Sequence, residues 1–225
     1  MIGFGSTVFF DMKHIYVEGT TRYTDSEVTR LTGFHTNDNL LFLNYRAAVK
    51  NIEESLPYIK TAKTKISLPD TVTVTLTDRQ PYAVILSGAA RIIFDEEGRI
   101  LERSVTADAA GLPVIKGINL GDEKPGANVF TQDEEHTGPL ITVLNELYNC
   151  GMIGNVGVLD ASESFNVRFT YLERLTVEVG LTEEVPGKLK MLAGVVDMLG
   201  AHERGILDLS SERARFIADQ TGGVL

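Results

Sequence analysis

The sequence predicts an α+β protein made of two successive units, and two observations carry that prediction. The first 80 residues read strand, helix, helix, strand, strand, a small α+β set in its own right. The remainder reads as many short strands around two helical stretches, the pattern of a mostly antiparallel sheet covered by helices.

The elements follow in order. Ile15, Tyr16 and Val17 form an apolar run ending at Gly19, a first strand. Thr24-Asp25-Ser26-Glu27 is a capping box: hydroxyl and carboxylate can each satisfy an orphan amide at a helix start. Val28 and Leu31 give that helix its apolar stripe, and Gly33 stops it. Asn44 is the expected N-cap of a second helix, with Tyr45, Ala48, Val49, Ile52 and Leu56 at helical spacing before Pro57. Lys60 to Ile66 is strand-like, Leu68-Pro69-Asp70 is a turn, and Thr71 to Thr77 alternates Thr with Val72, Val74 and Leu76.

Beyond Arg79-Gln80-Pro81, Tyr82 to Leu86 and Arg91 to Phe94 read as paired strands around Gly88. Asp95-Glu96-Glu97-Gly98 is a turn into Arg99-Ile100-Leu101. Residues 104 to 130, rich in Gly, Pro, Ala and Asp, are expected to be irregular. Thr137-Gly138-Pro139 is expected to open a helix striped by Leu140, Val143, Leu144, Leu147 and Tyr148, closed by Gly151. Strands are expected at Val156 to Leu159, Phe165 to Thr170 and Leu175 to Val179. Pro186 precedes a last helix, Gly205 to Leu209 is a further strand, and Ser210 to Phe216 is expected to continue it in extended form.

Composition narrows the function classes. Twenty-one Lys and Arg against 31 Asp and Glu leave a net charge of −10, which disfavours nucleic acid and anionic surfaces. Lys60, Lys63 and Lys65 alternate with Thr and Ala and read as a solvated strand face. The lone Cys150 excludes an internal disulfide. No uncharged stretch reaches the roughly 18–20 residues that span a bilayer, and the apolar start, Met1 to Phe10, lacks the basic leader of a signal peptide. No Walker pattern, nucleophile elbow or His-Glu-x-x-His helix occurs. Asp133-Glu134-Glu135-His136 is too tightly spaced for an ordinary metal site, and Asp95 to Gly98 lacks the alternating oxygens of a calcium loop. No cofactor or metal is expected, and no catalytic residue is nominated.

Phe9 to Gly19 resembles the first strand of a POTRA domain, as found in the bacterial cell-division family FtsQ/DivIB. Further stretches match that family in order: Tyr23-Thr24 to Glu27, Gly33 with Asn39-Leu40, Leu56 to Lys60, Leu68 to Val72, and Asp78 to Ala83. Phe94 to Leu101, Leu112 to Gly117, Val179-Gly180 with Lys188-Leu189, and Ile206 to Leu209 extend the likeness along the chain. Asp78 where Glu is usual and Tyr82 where a small aliphatic is common are mild departures.

The resemblance implies a POTRA domain over 11–79 and a β domain over 80–220, flanked by a linker remnant at 1–10 and a tail at 221–225. It also implies a non-enzymatic scaffold at the division septum, held by an N-terminal membrane helix missing from this chain, with this region on the extracytoplasmic side. The implied partners are the bitopic division proteins FtsL and FtsB, the latter called DivIC in Gram-positive bacteria. Capture is expected by β-strand addition at the C-terminal edge of the β domain. The candidate partner-binding residues are Leu209, Ser211, Arg213, Arg215 and Phe216, with Ser211, Arg213 and Arg215 sharing one face of an extended run. The alternative is another POTRA-containing envelope protein, an accessory of transport or assembly.

Overall fold

The computed structural model describes residues 10–219, and these fall into two compact units that divide between Gln80 and Pro81. Most of the expected linker remnant (1–9) and all of the expected tail (221–225) lie outside the described residues.

The first unit runs β1 (His14–Glu18), α1 (Asp25–Thr32), α2 (Tyr45–Ser55), β2 (Ile59–Ser67) and β3 (Thr71–Asp78). β3 is central, parallel to β1 and antiparallel to β2. Its alternation works as read: Val72, Val74 and Leu76 are buried beneath the helices, while the threonines face outward. The box at α1 is complete, with Thr24 Oγ1 accepting from the Glu27 amide and the Glu27 carboxylate accepting from the Thr24 amide at 2.8 Å. Asn44 Oδ1 accepts from the Ala47 amide at 3.0 Å and starts α2. Ala48 and Ile52 of α2, Val28 of α1 and Leu40 between them close the core.

The second unit is one twisted sheet. Its strands are β4 (Ala83–Ser87), β5 (Ala90–Phe94), β6 (Ile100–Ser104), β7 (Val114–Lys116), β8 (Val156–Asp160), β9 (Arg168–Tyr171), β10 (Leu175–Glu178), β11 (Gly205–Asp208) and β12 (Arg215–Ala218). They lie in the order β12-β11-β10-β9-β8-β7-β4-β5-β6. Pairing is antiparallel except at β10–β11, β8–β7 and β7–β4. Helices α3 (Glu134–Asn149) and α4 (Val185–Met198) cover one face, packing Leu140, Val143, Leu144, Leu147, Leu189 and Leu192 onto Phe169, Val177 and Leu207. The opposite face carries Arg168, Thr170, Thr176, Glu178, Ile206 and Asp208, none of them buried.

Several expectations change. Within the stretch expected to be irregular, Val114–Lys116 forms β7, parallel to both β4 and β8, a pairing set by distant segments. α3 begins three residues before the expected Thr137. Asp133 takes a left-handed conformation, its carbonyl accepts from the Thr137 amide at 2.9 Å, and Pro139 falls inside the helix. The strand expected from Phe165 starts only at Arg168, because the chain turns at Glu163–Asn166 and leaves Phe165 73% exposed. The largest change is at the end of the chain. Ser210 to Phe216 does not extend β11; the chain reverses after Leu209 and returns as β12.

Candidate functional site: the C-terminal sheet edge

β12 is the last strand of the sheet and, among the described residues, pairs only with β11. The hairpin joining them is built locally. Asp208 Oδ1 accepts from the Ser210 amide at 2.9 Å and from Ser210 Oγ at 2.6 Å, bending the chain just past β11. Arg215 stands opposite Asp208 and brings Nη2 to 3.6 Å of Oδ2. These bonds, the Ser210 hydroxyl first and Arg215 last, hold the Asp208 carboxyl below the usual carboxylate range. At the far end the Asp219 amide donates to the Arg204 carbonyl at 2.9 Å.

That last bond fixes which backbone groups are free. In an antiparallel pair, bonded and non-bonded residue pairs alternate. Arg204–Asp219 is bonded, so Ile206–Ile217 and Asp208–Arg215 are bonded as well, while Leu207–Phe216 and Gly205–Ala218 are not. The amides of Gly205 and Leu209 agree, since they donate the other way, to Arg174 and Glu178 of the β10 side, at 3.3 and 2.8 Å. The N–H and C=O groups of Phe216 and Ala218 therefore point away from the sheet, the template an incoming strand needs.

Side chains sort by the same alternation. Phe216 lies on the helix-covered face, opposite buried Leu207 and packed against the core. Arg215 and Ile217 lie on the open face. Ile217, 46% exposed, stands opposite Ile206 and continues a row through Thr176 and Thr170. Arg215 continues a charged row through Asp208, Glu178 and Arg168; Arg168 Nε lies 3.1 Å from Glu178 Oε1, and Arg168 Nη2 lies 2.9 Å from Glu163 Oε2. Beside the hairpin turn, a cavity of about 690 Å³ is lined by Ser210, Ser211 and Glu212 together with Leu181, Lys188 and Met191. Lys188 Nζ is already committed to the carbonyls of Val179 and Leu181.

The five candidate residues thus divide. Leu209 is fully buried in the core and is not a surface contact, because the β11 alternation turns it under the helices. Ser211 and Arg213 lie in the turn, where Ser211 Oγ donates to the Arg213 carbonyl at 3.0 Å, so no extended face is shared with Arg215. Arg215 and Phe216 do lie on the edge strand, with side chains on opposite faces. Ile206, Ile217 and Ala218 were missed. Asp208-Leu209-Ser210, an Asp followed two residues later by Ser, was the available turn signal.

Elsewhere, acidic clusters serve local structure. Asp133 Oδ1 meets His136 Nδ1 at 2.7 Å and Oδ2 accepts from the Asn119 amide at 3.0 Å. Asp95 Oδ1 accepts from the amides of Glu97 and Arg99 at 3.0 and 2.8 Å, closing the turn expected there.

A β-α-α-β-β unit with β1 and β3 parallel, followed by a mainly antiparallel sheet whose C-terminal edge strand has one partner among the described residues, defines a POTRA-bearing two-unit module. In comparison with known proteins, a family model described as POTRA domain, FtsQ-type, matches residues 10–79. The cell division protein DivIB of Clostridium acetobutylicum is 23% identical over 193 residues, which are 84% of this chain and 74% of that protein. The cell division protein FtsQ of Anaeromyxobacter sp. is 32% identical over 107 residues, which are 48% of this chain and 36% of that protein. The chain thus spans about three quarters of the first relative's length and about a third of the second's. The solved extracytoplasmic domain of DivIB from Geobacillus stearothermophilus aligns with 55% of this chain and 99% of its own, at 12% identity and a TM-score of 0.32, too loosely to enter the assignment. The chain is thus similar to the bacterial cell-division proteins FtsQ and DivIB, and its residues 10–79 match an FtsQ-type POTRA domain.

Proposed function

We propose that this protein is a scaffold of the bacterial division machinery that captures other division proteins by adding one of their strands to β12. Similarity to the cell-division proteins DivIB and FtsQ supports the division role, and the edge of β12, unpaired on its outer side among the described residues, is the observation that carries the mechanism. An added strand takes the outward amides and carbonyls of Phe216 and Ala218, and its alternate side chains read the two faces. A carboxylate in register with Arg215 extends the charged row. An apolar residue beside Ile217 extends the apolar one.

The partners proposed are FtsL and FtsB or DivIC, small bitopic proteins whose extracytoplasmic segments supply such a strand. The protein itself is proposed to sit at the septal membrane through an N-terminal anchor, with both units on the extracytoplasmic side and no catalytic role. Among the described residues no helix is long and apolar enough to cross a membrane.

The test is a titration of the chain and its Ala218→Pro variant with the extracytoplasmic segments of FtsL and FtsB or DivIC from the same organism. Ala218 is exposed and its amide faces outward, so proline removes a donor to the partner and none to β11. Binding is expected to weaken roughly tenfold or more. Unchanged affinity in a variant that melts like the parent rejects strand addition at this edge.

A further inference from the structure

Among the described residues of the first unit, the large apolar side chain most open to solvent is Phe42, 78% exposed, beside Leu41 at 52%. The turn that carries them is held on both sides. Leu40 is fully buried, and its amide donates to the Phe10 carbonyl at 2.8 Å. The Met12 amide donates to Asp38 at 2.8 Å and the Asn37 amide to Met12 at 2.9 Å, so this segment runs antiparallel to the entering chain, with Asp11 bridged to Asn39. Inside the turn, Asn39 Oδ1 accepts from the Leu41 amide at 2.9 Å and the Asn39 carbonyl from the Phe42 amide at 3.0 Å. Tyr45 donates its hydroxyl to the Leu40 carbonyl at 2.8 Å.

Two properties follow. The amides at the tip are satisfied within the protein, so contact with an apolar medium strands neither of them. The bonds also fix the backbone beneath two apolar side chains that stay largely open to solvent. The sequence that leads into Phe10 agrees: residues 1–9 include Ile2, Phe4, Val8 and Phe9 and no charged side chain. A fixed apolar tip, in a chain whose sequence enters the unit through an uncharged apolar stretch, matches the boundary between lipid headgroups and acyl chains.

We infer that the Asn39–Leu43 turn is a bilayer contact, with Leu41 and Phe42 entering the headgroup boundary when the protein is held at a membrane from its N-terminal side. Two side chains bind weakly alone, but a tether turns the contact into an intramolecular event at an effective concentration on the order of millimolar. The contact sets how the first unit meets the membrane surface. It rests on the membrane anchorage proposed above, and the test replaces that anchor with an artificial one.

The chain has no tryptophan, so Phe42→Trp supplies a single fluorescent reporter. The variant is tethered through an N-terminal hexahistidine tag to phosphatidylcholine–phosphatidylglycerol vesicles containing nickel-chelating lipid, and attachment is verified by co-sedimentation. The emission is expected to shift to the blue and to be quenched by brominated acyl chains. Phe165→Trp, a reporter at an equally exposed phenylalanine of the second unit, is expected to show neither effect. Adding Leu41→Asp to Phe42→Trp is expected to abolish the quenching while the thermal melting curve is unchanged. No quenching in attached protein overturns the inference, as does equal quenching at both reporters, which marks unspecific adhesion. A concentration-dependent blue shift without lipid also overturns it, in favour of a second copy of the chain. Failure of the native anchor is a separate result, read from fractionation of the full-length protein.

Discussion

The ring of Phe216 lies over Gly205, so close that a β-carbon on the glycine would sit 2.9 Å from the ring and run into the Ile217 carbonyl oxygen. The two residues are diagonal neighbours across the β11–β12 pair, where Gly205 faces Ala218 and Leu207 faces Phe216. The missing side chain leaves a trough, and the aromatic ring of the edge strand fills it. This close approach thus adds to the hydrogen bonds that hold the edge proposed to receive a partner.

Gly205→Ala is accordingly expected to push β12 off β11. Overpacking of this kind costs about 1–3 kcal/mol or more, since the obstacle is backbone as well as ring. Hydrogen exchange should show it first, with faster exchange at Arg215 and Ile217, whose amides bond to β11, and little change in β4 to β6. Protection equal to that of the parent would show that the hairpin does not depend on this approach.

The two faces of β12 should separate in mutagenesis. Phe216→Ala removes a ring packed on the core and is expected to lower stability by about 1–3 kcal/mol, weakening partner binding through the loosened strand. Ile217→Asp puts a charge on the open face, where little of the fold is at stake, and is expected to weaken binding while changing the unfolding free energy by less than about 0.5 kcal/mol. Urea titrations paired with binding isotherms distinguish the two. The reverse pattern would place the partner-reading side chain on the helix-covered face.

Legibility in the sequence followed the range of the interaction. The capping box at Thr24, the Asn44 cap and the Val72-Val74-Leu76 alternation are set by residues three or fewer positions apart, and each stands where it was read. β7 was hidden because three residues carry no period, and its place comes from β4 and β8. Phe165 was read as strand because it is in phase with Val167 and Phe169, but the turn at Glu163–Asn166 breaks the phase. The candidate edge was misread for a similar reason. Ser210 to Ala214 has no Gly, Pro or Asn to mark a reversal, and the reversal depends on Asp208 instead. Arg215 and Phe216 were nominated by residue type and lie on the edge strand, whereas placing Ile217 and the outward amide of Ala218 there needed the register.

At the other end of the chain, Thr24→Ala is expected to cost about 1 kcal/mol, the usual value of a helix N-cap. Thr24 Oγ1 donates to the Glu27 carboxylate at 2.7 Å and the Thr24 amide donates at 2.8 Å; together they hold the Glu27 carboxyl below its ordinary range. Thr24→Ser keeps the hydroxyl and should retain most of the stability. A loss equal to that of alanine would assign the effect to the threonine methyl.

The hairpin turn should respond to acid, and the sign follows from Asp208. Its carboxyl is depressed in the folded protein by the Ser210 hydroxyl, the Ser210 amide and, last, Arg215. The folded state thus favours the charged form more than the unfolded chain does. The resulting stabilisation is fully present above the ordinary aspartate range, near 3.8, and is lost as pH falls through the lower folded value. Ser210→Ala removes the hydroxyl that lowers the Asp208 carboxyl most and should move its titration up toward the ordinary value. Arg215→Gln should move it less. Carboxyl-carbon NMR titration of the three proteins reads both shifts directly. If Arg215→Gln produces the larger displacement, the ion pair organises the turn, and the edge strand should then loosen with salt as well as with acid.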